Sequence, residues 1–251
     1  LLGKLLDIPV IHTVHGSHQM DLNDKSIKGQ LEKIFLTQIP YDLAISVSRS
    51  FRQYKSNTKK IEIITNGVEL AGKNRKRSQS TKGTRTIQLL TVSRLEHQKG
   101  VDLLIKAINQ IKDKMPPFQL TIIGNGSQRN NYELQITKYK LEDNIKLVGK
   151  KTGEDLKNEY QNADLFILPS RAEGQPIVIL EAWAHQLPVI ATKVGHNPYM
   201  IKEDQTGWLA SPNSVKSLEK TIRKALKQTS KWKTIGKNGY NQVQKHYTWD
   251  T

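Results

Sequence analysis

The sequence predicts an α/β protein built on a doubly wound parallel sheet. Short apolar runs that end in Gly, Pro, Ser or Asn take turns with amphipathic segments along the chain. The runs are continuously apolar, which is typical of parallel strands that helices cover on both faces. The predicted strands are PVIHTVHG, YDLAISVS, IEIIT, TIQLLTVS, FQLTIIG, NIKLVGK, DLFILPS and PVIAT.

Helical periodicity fills the gaps between the later strands and divides the chain into regions. The predicted helices cover 101–111, 129–139, 153–161 and 177–185. Residues 1–70 hold three strands, half a domain at best, and residues 86–230 hold a whole doubly wound domain. Between them, 71–85 is rich in Ser, Thr, Gly, Asn and basic residues and has the composition of a solvated linker. Residues 231–251 form a last helical segment.

The composition predicts a soluble globular protein with a large excess of positive charge. The chain has 251 residues, of which 36% are hydrophobic, and a net charge of +16. No run approaches the roughly 20 apolar residues that span a bilayer. The absence of cysteine suits a reducing compartment, so we expect a cytoplasmic location.

The basic residues concentrate in the linker and on the last helices, where 216–245 holds nine Lys and Arg against Glu219 alone. This charge fits an anionic membrane surface or an anionic substrate. Nucleic acid is a further alternative, but no aromatic platform or recognition motif accompanies the charge. We therefore expect no nucleic-acid partner.

Three histidines near the start, in His12-Thr-Val-His15-Gly-Ser-His18, have a spacing that would suit a metal on a helix. The local sequence favours a strand instead, because β-branched residues follow Pro9 and Gly16 stops the run. Side chains alternate along a strand, so His12 and His15 point to opposite faces and cannot share an ion. We expect no metal site, and a hydrogen-bonded strand-end histidine is one interpretation of His15.

Two loops that follow predicted strands carry residues suited to an anionic ligand. Ligands of doubly wound sheets bind at the carboxyl ends of the strands, where Arg94 and Lys99 follow LLTVS and Glu173 follows DLFILPS. Pro176 suits a first helical position, and a helix start offers free N–H groups to an anion. With Glu181 inside that helix, the set suits a ligand with phosphates and hydroxyls, such as a nucleotide-sugar. Solvated loop charges, or a hydrolase acid/base pair of Glu173 and Glu181, are the alternatives.

The segment EGQPIVILEA resembles the E-x7-E signature of retaining glycosyltransferases of family 4, in which Glu-Gly-Phe-Pro begins the same run. ITNGVEL, VSRLEHQKGVDLLIKA, IIGNGS, IKLVGK, LPVIAT and TGWLASP match further blocks of that family in the expected order. The resemblance implies a GT-B fold with two Rossmann-like domains, 1–70 belonging to the acceptor side and 86–230 binding the nucleotide-sugar. It also implies activity without a metal or a cofactor.

The resemblance assigns a role to each matching residue. It implies that Arg94 and Lys99 neutralise the donor diphosphate and that Glu173 holds hydroxyls of the transferred sugar. The ribose hydroxyls would go to Glu181, and His15 would lie near the reacting sugar, with His12 and His18 as bystanders. Backbone groups that face the sugar and phosphate belong to Gly174, Gln175, Pro176 and Ile177.

The sequence departs from the family pattern at a few positions. Gln175 replaces an aromatic residue, Gln186 and His196 replace glycines, and Tyr199 replaces a glutamate. The family also has strands and a glycine-rich loop that we expect upstream of Leu1, and its closing C-terminal helix looks cut short at HYTWDT. We therefore expect this chain alone to transfer sugar slowly or not at all.

The resulting hypothesis is a retaining, metal-independent hexosyltransferase of cell-surface polysaccharide synthesis. It would use a UDP- or GDP-linked sugar as donor and a saccharide or lipid-linked acceptor, at the inner face of the plasma membrane. One alternative keeps the fold as an inactive donor-binding remnant or accessory subunit. A basic nucleic-acid-binding module and a sugar-phosphate isomerase or epimerase of the same fold fit the motifs less well.

Overall fold

The computed structural model describes residues 8–14, 27, 30, 34, 41–49, 58, 60–71 and 85–249. It falls into two compact units. The first comprises Leu1–Asn66, Ala172–Pro176 and Gly195–Tyr199, and the second comprises Gly67–Arg171, Ile177–Val194 and Met200–Thr251. The predicted linker at 71–85 lies outside the described residues except for its two ends.

The sheet of the first unit consists of β1 (Ile11–Val14), β2 (Leu43–Ser46) and β3 (Ile61–Ile63). The strands are parallel and lie in the order β1-β2-β3. The side chain of Asp42 fixes the start of this sheet, since its Oδ2 accepts a bond of 3.0 Å from the N–H of Val10. The three predicted strands of this part are confirmed.

The second unit is built on a six-stranded parallel sheet in the order β6-β5-β4-β7-β8-β9. Its strands are β4 (Ile87–Val92), β5 (Phe118–Ile123), β6 (Ile145–Leu147), β7 (Leu165–Leu168), β8 (Val189–Thr192) and β9 (Gly207–Ala210). Counted in chain order, this is the 3-2-1-4-5-6 order of doubly wound folds. The direction of winding reverses between β4 and β7, which pair through Leu89 with Leu165 and Leu90 with Phe166.

Helices cover both faces of this sheet. They are α1 (Val101–Ile111), α2 (Arg129–Lys138), α3 (Gly153–Asn162), α4 (Ile177–Ala184), α6 (Val215–Leu226) and α7 (Trp232–His246). A further short helix, α5 (Asn197–Met200), has its first three residues in the first unit. One apolar core includes Leu104 and Ile222, from α1 and α6. The other includes Trp183 and Val243, from α4 and α7. Burial on both faces explains why the strands carry continuous apolar runs.

The predicted strands and helices of the second unit are confirmed to within a few residues at each end. The strand β9 is not among the predicted strands, because Gly207-Trp-Leu-Ala is short and follows polar residues. The helix predicted at 177–185 begins as expected at Ile177, so Pro176, which suits a first helical position, lies one residue before it. Among the described residues, no helix is both long and apolar enough to cross a membrane.

The chain end returns to the start of the second unit. After α7, the carbonyl oxygen of Tyr247 accepts a bond of 2.8 Å from the N–H of Val68. The ring of Trp249 packs on Gly67, where an added Cβ would come within 3.3 Å of it. Gly67 and Val68 are thus held by the segment that follows the last helix.

Candidate functional site

Arg94 and Lys99 lie in the loop that follows β4, at the carboxyl edge of the sheet of the second unit. Arg94 is exposed and Lys99 is half-buried in a short 3-10 turn, His97–Lys99. The neighbouring strand in the sheet is β7, whose chain continues toward α4. These cations therefore lie at the topological switch point, where doubly wound sheets bind ligands.

The loop after β4 is tied to the loop after β5. The N–H of Leu95 donates to the carbonyl of Asn125 at 2.9 Å. The Glu96 carboxylate accepts from the N–H and the hydroxyl of Ser127, at 3.0 and 2.6 Å. These two hydrogen bonds lower the pKa of Glu96, so its carboxylate stays ionised and keeps the two loops together at neutral pH.

Glu181, on the second turn of α4, is half-buried and bonded to the preceding helix. The Tyr160 hydroxyl of α3 donates to its Oε2 at 2.8 Å. The imidazole of His185 stacks on the Tyr160 ring, with centroids 5.1 Å apart, and its Nδ1 lies 2.8 Å from the Glu181 carbonyl oxygen. Burial first, and the Glu181 carboxylate second, raise the pKa of Tyr160 well above 10, so the phenol remains a donor.

Tyr160 is a partner of Glu181 that the sequence does not predict. The two residues lie 21 positions apart on different helices, and no local pattern links them. Glu181 itself is half-buried, between Leu180 and Ala182, which are both fully buried.

In the first unit, Glu173 and Gln175 are buried, with only 6% and 5% of their surface exposed. The Gln175 side-chain oxygen accepts from the N–H of Asn66, and its backbone carbonyl accepts from the Asn66 amide at 3.1 Å. The family has an aromatic residue at this position. Here an amide takes its place and fastens the Glu-Gly-Gln-Pro segment to the end of the ITN turn.

His196, another departure from the family pattern, has a defined structural role in the first unit. Its backbone N–H donates to the Gly174 carbonyl at 2.8 Å, and its ring Nδ1 accepts from the backbone N–H of Arg49 at 3.1 Å. The Ser48 hydroxyl lies 3.3 Å from the same nitrogen. Burial, with a smaller contribution from Arg49, lowers the pKa of His196 to about 4, so the ring is neutral at physiological pH. Because the Arg49 N–H donates to Nδ1, the neutral ring carries its proton on Nε2 and Nδ1 acts as the acceptor.

Two further departures have simple geometry. Gln186 adopts φ 57°, which explains why a glycine is common at that position in the family. Tyr199 is exposed, and its ring centroid lies 5.4 Å from that of His196.

His15, predicted to act near the reacting sugar, lies outside the described residues, as does His18. His12 is half-buried and meets the Tyr41 ring edge-on at 4.6 Å. Burial lowers its pKa. Within the described part of the chain no three metal-ligand side chains cluster, and the prediction of a metal-independent site stays a prediction.

Comparison with known proteins decides the family. Residues 72–242, more than half of the chain, match the model of the family described as glycosyl transferases group 1. The chain belongs to the group 1 glycosyl transferases. An uncharacterised glycosyltransferase of Methanocaldococcus jannaschii, MJ1178, is 32% identical over the whole of this chain and 67% of its own length. The amylovoran biosynthesis glycosyltransferase AmsK of Erwinia amylovora is 35% identical over 53% of this chain and 34% of its own.

A solved structure confirms the fold of this group 1 chain. Sucrose-phosphate synthase from Thermosynechococcus elongatus superposes with a TM-score of 0.81 and 26% identity, over 99% of this chain and 67% of that one. The predicted fold class, α/β of GT-B type with Rossmann-like parallel sheets, is confirmed. The chain spans about two thirds of MJ1178 and of the synthase, and about a third of AmsK.

Proposed function

We propose that this group 1 chain belongs to an enzyme that transfers a hexose from a UDP- or GDP-linked donor to a saccharide or lipid-linked acceptor, in the cytoplasm, in cell-surface polysaccharide synthesis. The observation that supports it most is the place of Arg94 and Lys99, at the switch point between β4 and β7. The relative AmsK is named for amylovoran biosynthesis, which supports a role in polysaccharide synthesis. The anomeric configuration would be retained, as the E-x7-E signature implies.

Departure of the diphosphate is the step for which the second unit is best equipped. Two cations near the leaving group offset the charge that develops on the phosphate oxygens, a task that a bound metal ion performs in other enzymes. The first N–H groups of α4, which begins at Ile177, add a further partial positive charge. We propose that Arg94, Lys99 and this helix start together bind the diphosphate without a metal.

The two glutamates of the signature take different parts of the donor in this proposal. Glu173 would accept hydrogen bonds from the hydroxyls of the transferred sugar, beside the backbone of Gly174 to Ile177. Glu181, on the second turn of α4 and bonded to Tyr160, would accept from the ribose hydroxyls. His15 would lie near the anomeric carbon.

The chemical step exchanges one bond at the anomeric carbon for another. The bond from this carbon to the phosphate oxygen breaks, and its electron pair leaves with the diphosphate. The acceptor hydroxyl oxygen forms the new bond on the same face of the sugar, and its proton passes to the departing phosphate oxygen. No enzyme nucleophile is part of this step.

Calorimetric titration tests the proposed donor site. UDP and GDP are titrated into the chain with EDTA and with added Mg²⁺, and one of them is expected to bind equally in both. Glu181→Ala should weaken that binding by the ~1.5–3 kcal/mol of a charge-assisted hydrogen bond, while Glu173→Ala should chiefly impair binding of the matching nucleotide-sugar. Glu133→Ala, an exposed acid on α2, serves as the control.

Two results would contradict the proposal. Binding that needs Mg²⁺ would contradict the proposal that the diphosphate is bound without a metal. Equal losses of affinity for the free nucleotide in Glu173→Ala and Glu181→Ala would contradict the proposal that the two carboxylates bind different parts of the donor.

A further inference from the structure

We infer that Arg171, in its ion pair with Asp102, is a positioning residue that fixes the diphosphate loop. It would act through the 3-10 turn His97–Lys99 and so place Lys99 and Arg94 against the donor. The inference rests on the proposed function of that loop and concerns residues of the second unit only.

Arg171 reaches the loop with both its side chain and its backbone. Its Nη1 and Nη2 donate to the two oxygens of Asp102 at 2.7 and 2.8 Å, a bidentate pair that joins the chain after β7 to the first turn of α1. Nη1 also donates to the carbonyl of His97 at 2.7 Å, and the backbone N–H of Arg171 donates to the carbonyl of Gln98 at 2.7 Å. The two carbonyls that precede Lys99 are therefore both bound to one residue.

The ion pair is largely shielded from water. The Arg171 and Asp102 side chains are 15% and 14% exposed. Burial alone would raise the pKa of Asp102, but the bonds and charge of Arg171, with Lys106 and His97 nearby, outweigh it and the pKa is lowered. Because the two largely shielded partners hold each other in a planar, two-bond geometry, the guanidinium is oriented to hold the turn.

The same turn is fixed from two other sides. Gly100 adopts φ 66°, and a Cβ there would come within 2.2 Å of the Pro169 carbonyl oxygen, so the loop end lies directly on the chain that follows β7. The Tyr132 hydroxyl lies 3.4 Å from the Glu96 carbonyl oxygen. Carbonyl oxygens of 96, 97 and 98 thus face donors, and their partial negative charges are kept from a bound diphosphate.

The ion pair with Asp102 also indicates that Arg171 does not bind the diphosphate itself. Its positive charge is already matched by Asp102, and its Nη atoms are engaged by Asp102 and His97. The two roles make opposite predictions for Asp102→Asn. A positioning role predicts weaker nucleotide binding, because the guanidinium loses its anchor. A direct role predicts equal or tighter binding, because a cation is released.

The experiment compares Arg171→Lys with a matched control at the other edge of the same strands. Arg85 pairs with Asp164 at 2.7 Å, at the amino ends of β4 and β7. UDP and GDP are titrated by calorimetry, together with UMP and GMP. Arg171→Lys keeps the positive charge but cannot make the two parallel bonds to Asp102. For whichever of UDP and GDP the unchanged chain binds, we expect the affinity to fall about tenfold, or by ~1.4 kcal/mol. The matching monophosphate should change by less than about twofold, and Arg85→Lys should change neither affinity.

The outcomes separate the inference from the proposed function. If the unchanged chain binds neither UDP nor GDP, the proposed function fails and the inference with it. If it binds and Arg171→Lys binds as well, or loses monophosphate and diphosphate equally, the inference alone is wrong. Should Arg171→Lys fail to fold, as judged by thermal melting, Asp102→Asn decides: a loss of about threefold or more confined to the diphosphate supports positioning, and any other result overturns it.

Discussion

The Tyr160→Phe substitution removes one oxygen atom and tests how the Glu181 carboxylate is held. Tyr160 is 1% exposed, and its hydroxyl donates to Glu181 Oε2 at 2.8 Å. A hydrogen bond to a charged group contributes ~1.5–3 kcal/mol, and the carboxylate that remains is half-buried. We therefore expect a loss of about 2 kcal/mol, which in a protein of this size lowers the melting temperature by roughly 4–8 °C.

Thermal melting followed by circular dichroism measures this loss, and Tyr132→Phe is the matched control. Tyr132 is equally buried, and its hydroxyl lies 3.4 Å from a neutral carbonyl, so its loss should cost less than ~1 kcal/mol. Glu181→Gln and the double variant complete a cycle, in which the effects should not add. Equal melting temperatures for Tyr160→Phe and Tyr132→Phe, or additive effects in the cycle, would show that the bond does not hold Glu181.

Two further substitutions test the surroundings of His196 in the first unit and of Gly100 in the second. Since the pKa of His196 falls from 6.5 to about 4 on folding, the unfolded chain binds more protons between these values, and stability declines as pH falls through them. His196→Asn keeps an acceptor for the Arg49 N–H but does not titrate. Between pH 6.5 and 4, the melting temperature of the wild type should therefore fall by about 4–8 °C more than that of the variant. An equal fall in the two melting temperatures would refute this. Gly100→Ala should cost about 3 kcal/mol, because a left-handed φ and the Pro169 carbonyl both oppose a Cβ. Gly153→Ala, at φ 57° with no atom within 4 Å, should cost only ~1 kcal/mol, and equal melting temperatures would show that the contact with Pro169 does not matter.

The sequence by itself determined the fold class and most of the elements. Strands buried on both faces must be apolar throughout, and helices between them must show a 3.6-residue period, so both signals are local and readable. The stretch from β4 to β8 was predicted nearly residue by residue for this reason. The strand β9 was missed because four residues that follow a polar turn carry too little pattern.

The candidate site was predictable where it depends on the ends of strands. A parallel sheet brings the carboxyl ends of all its strands to one edge, so Arg94 and Lys99 could be placed before any coordinates. The order of the strands was not readable, because it depends on pairings between segments far apart in the chain. The position of these cations at the reversal between β4 and β7 therefore came from the structure.

Only the tertiary structure decided which side chains support the predicted ones. Arg171 pairs with Asp102 across 69 residues, and Tyr160 meets Glu181 across 21. His196 stands where the family has a glycine, and burial keeps its ring neutral, so that it accepts from the Arg49 N–H across 147 residues. Such bonds depend on burial and on the direction of single polar atoms, which periodicity does not encode. The sequence therefore specifies the strands, the helices and the charged groups at the edge of the sheet, while the tertiary contacts specify which residues hold those groups in place.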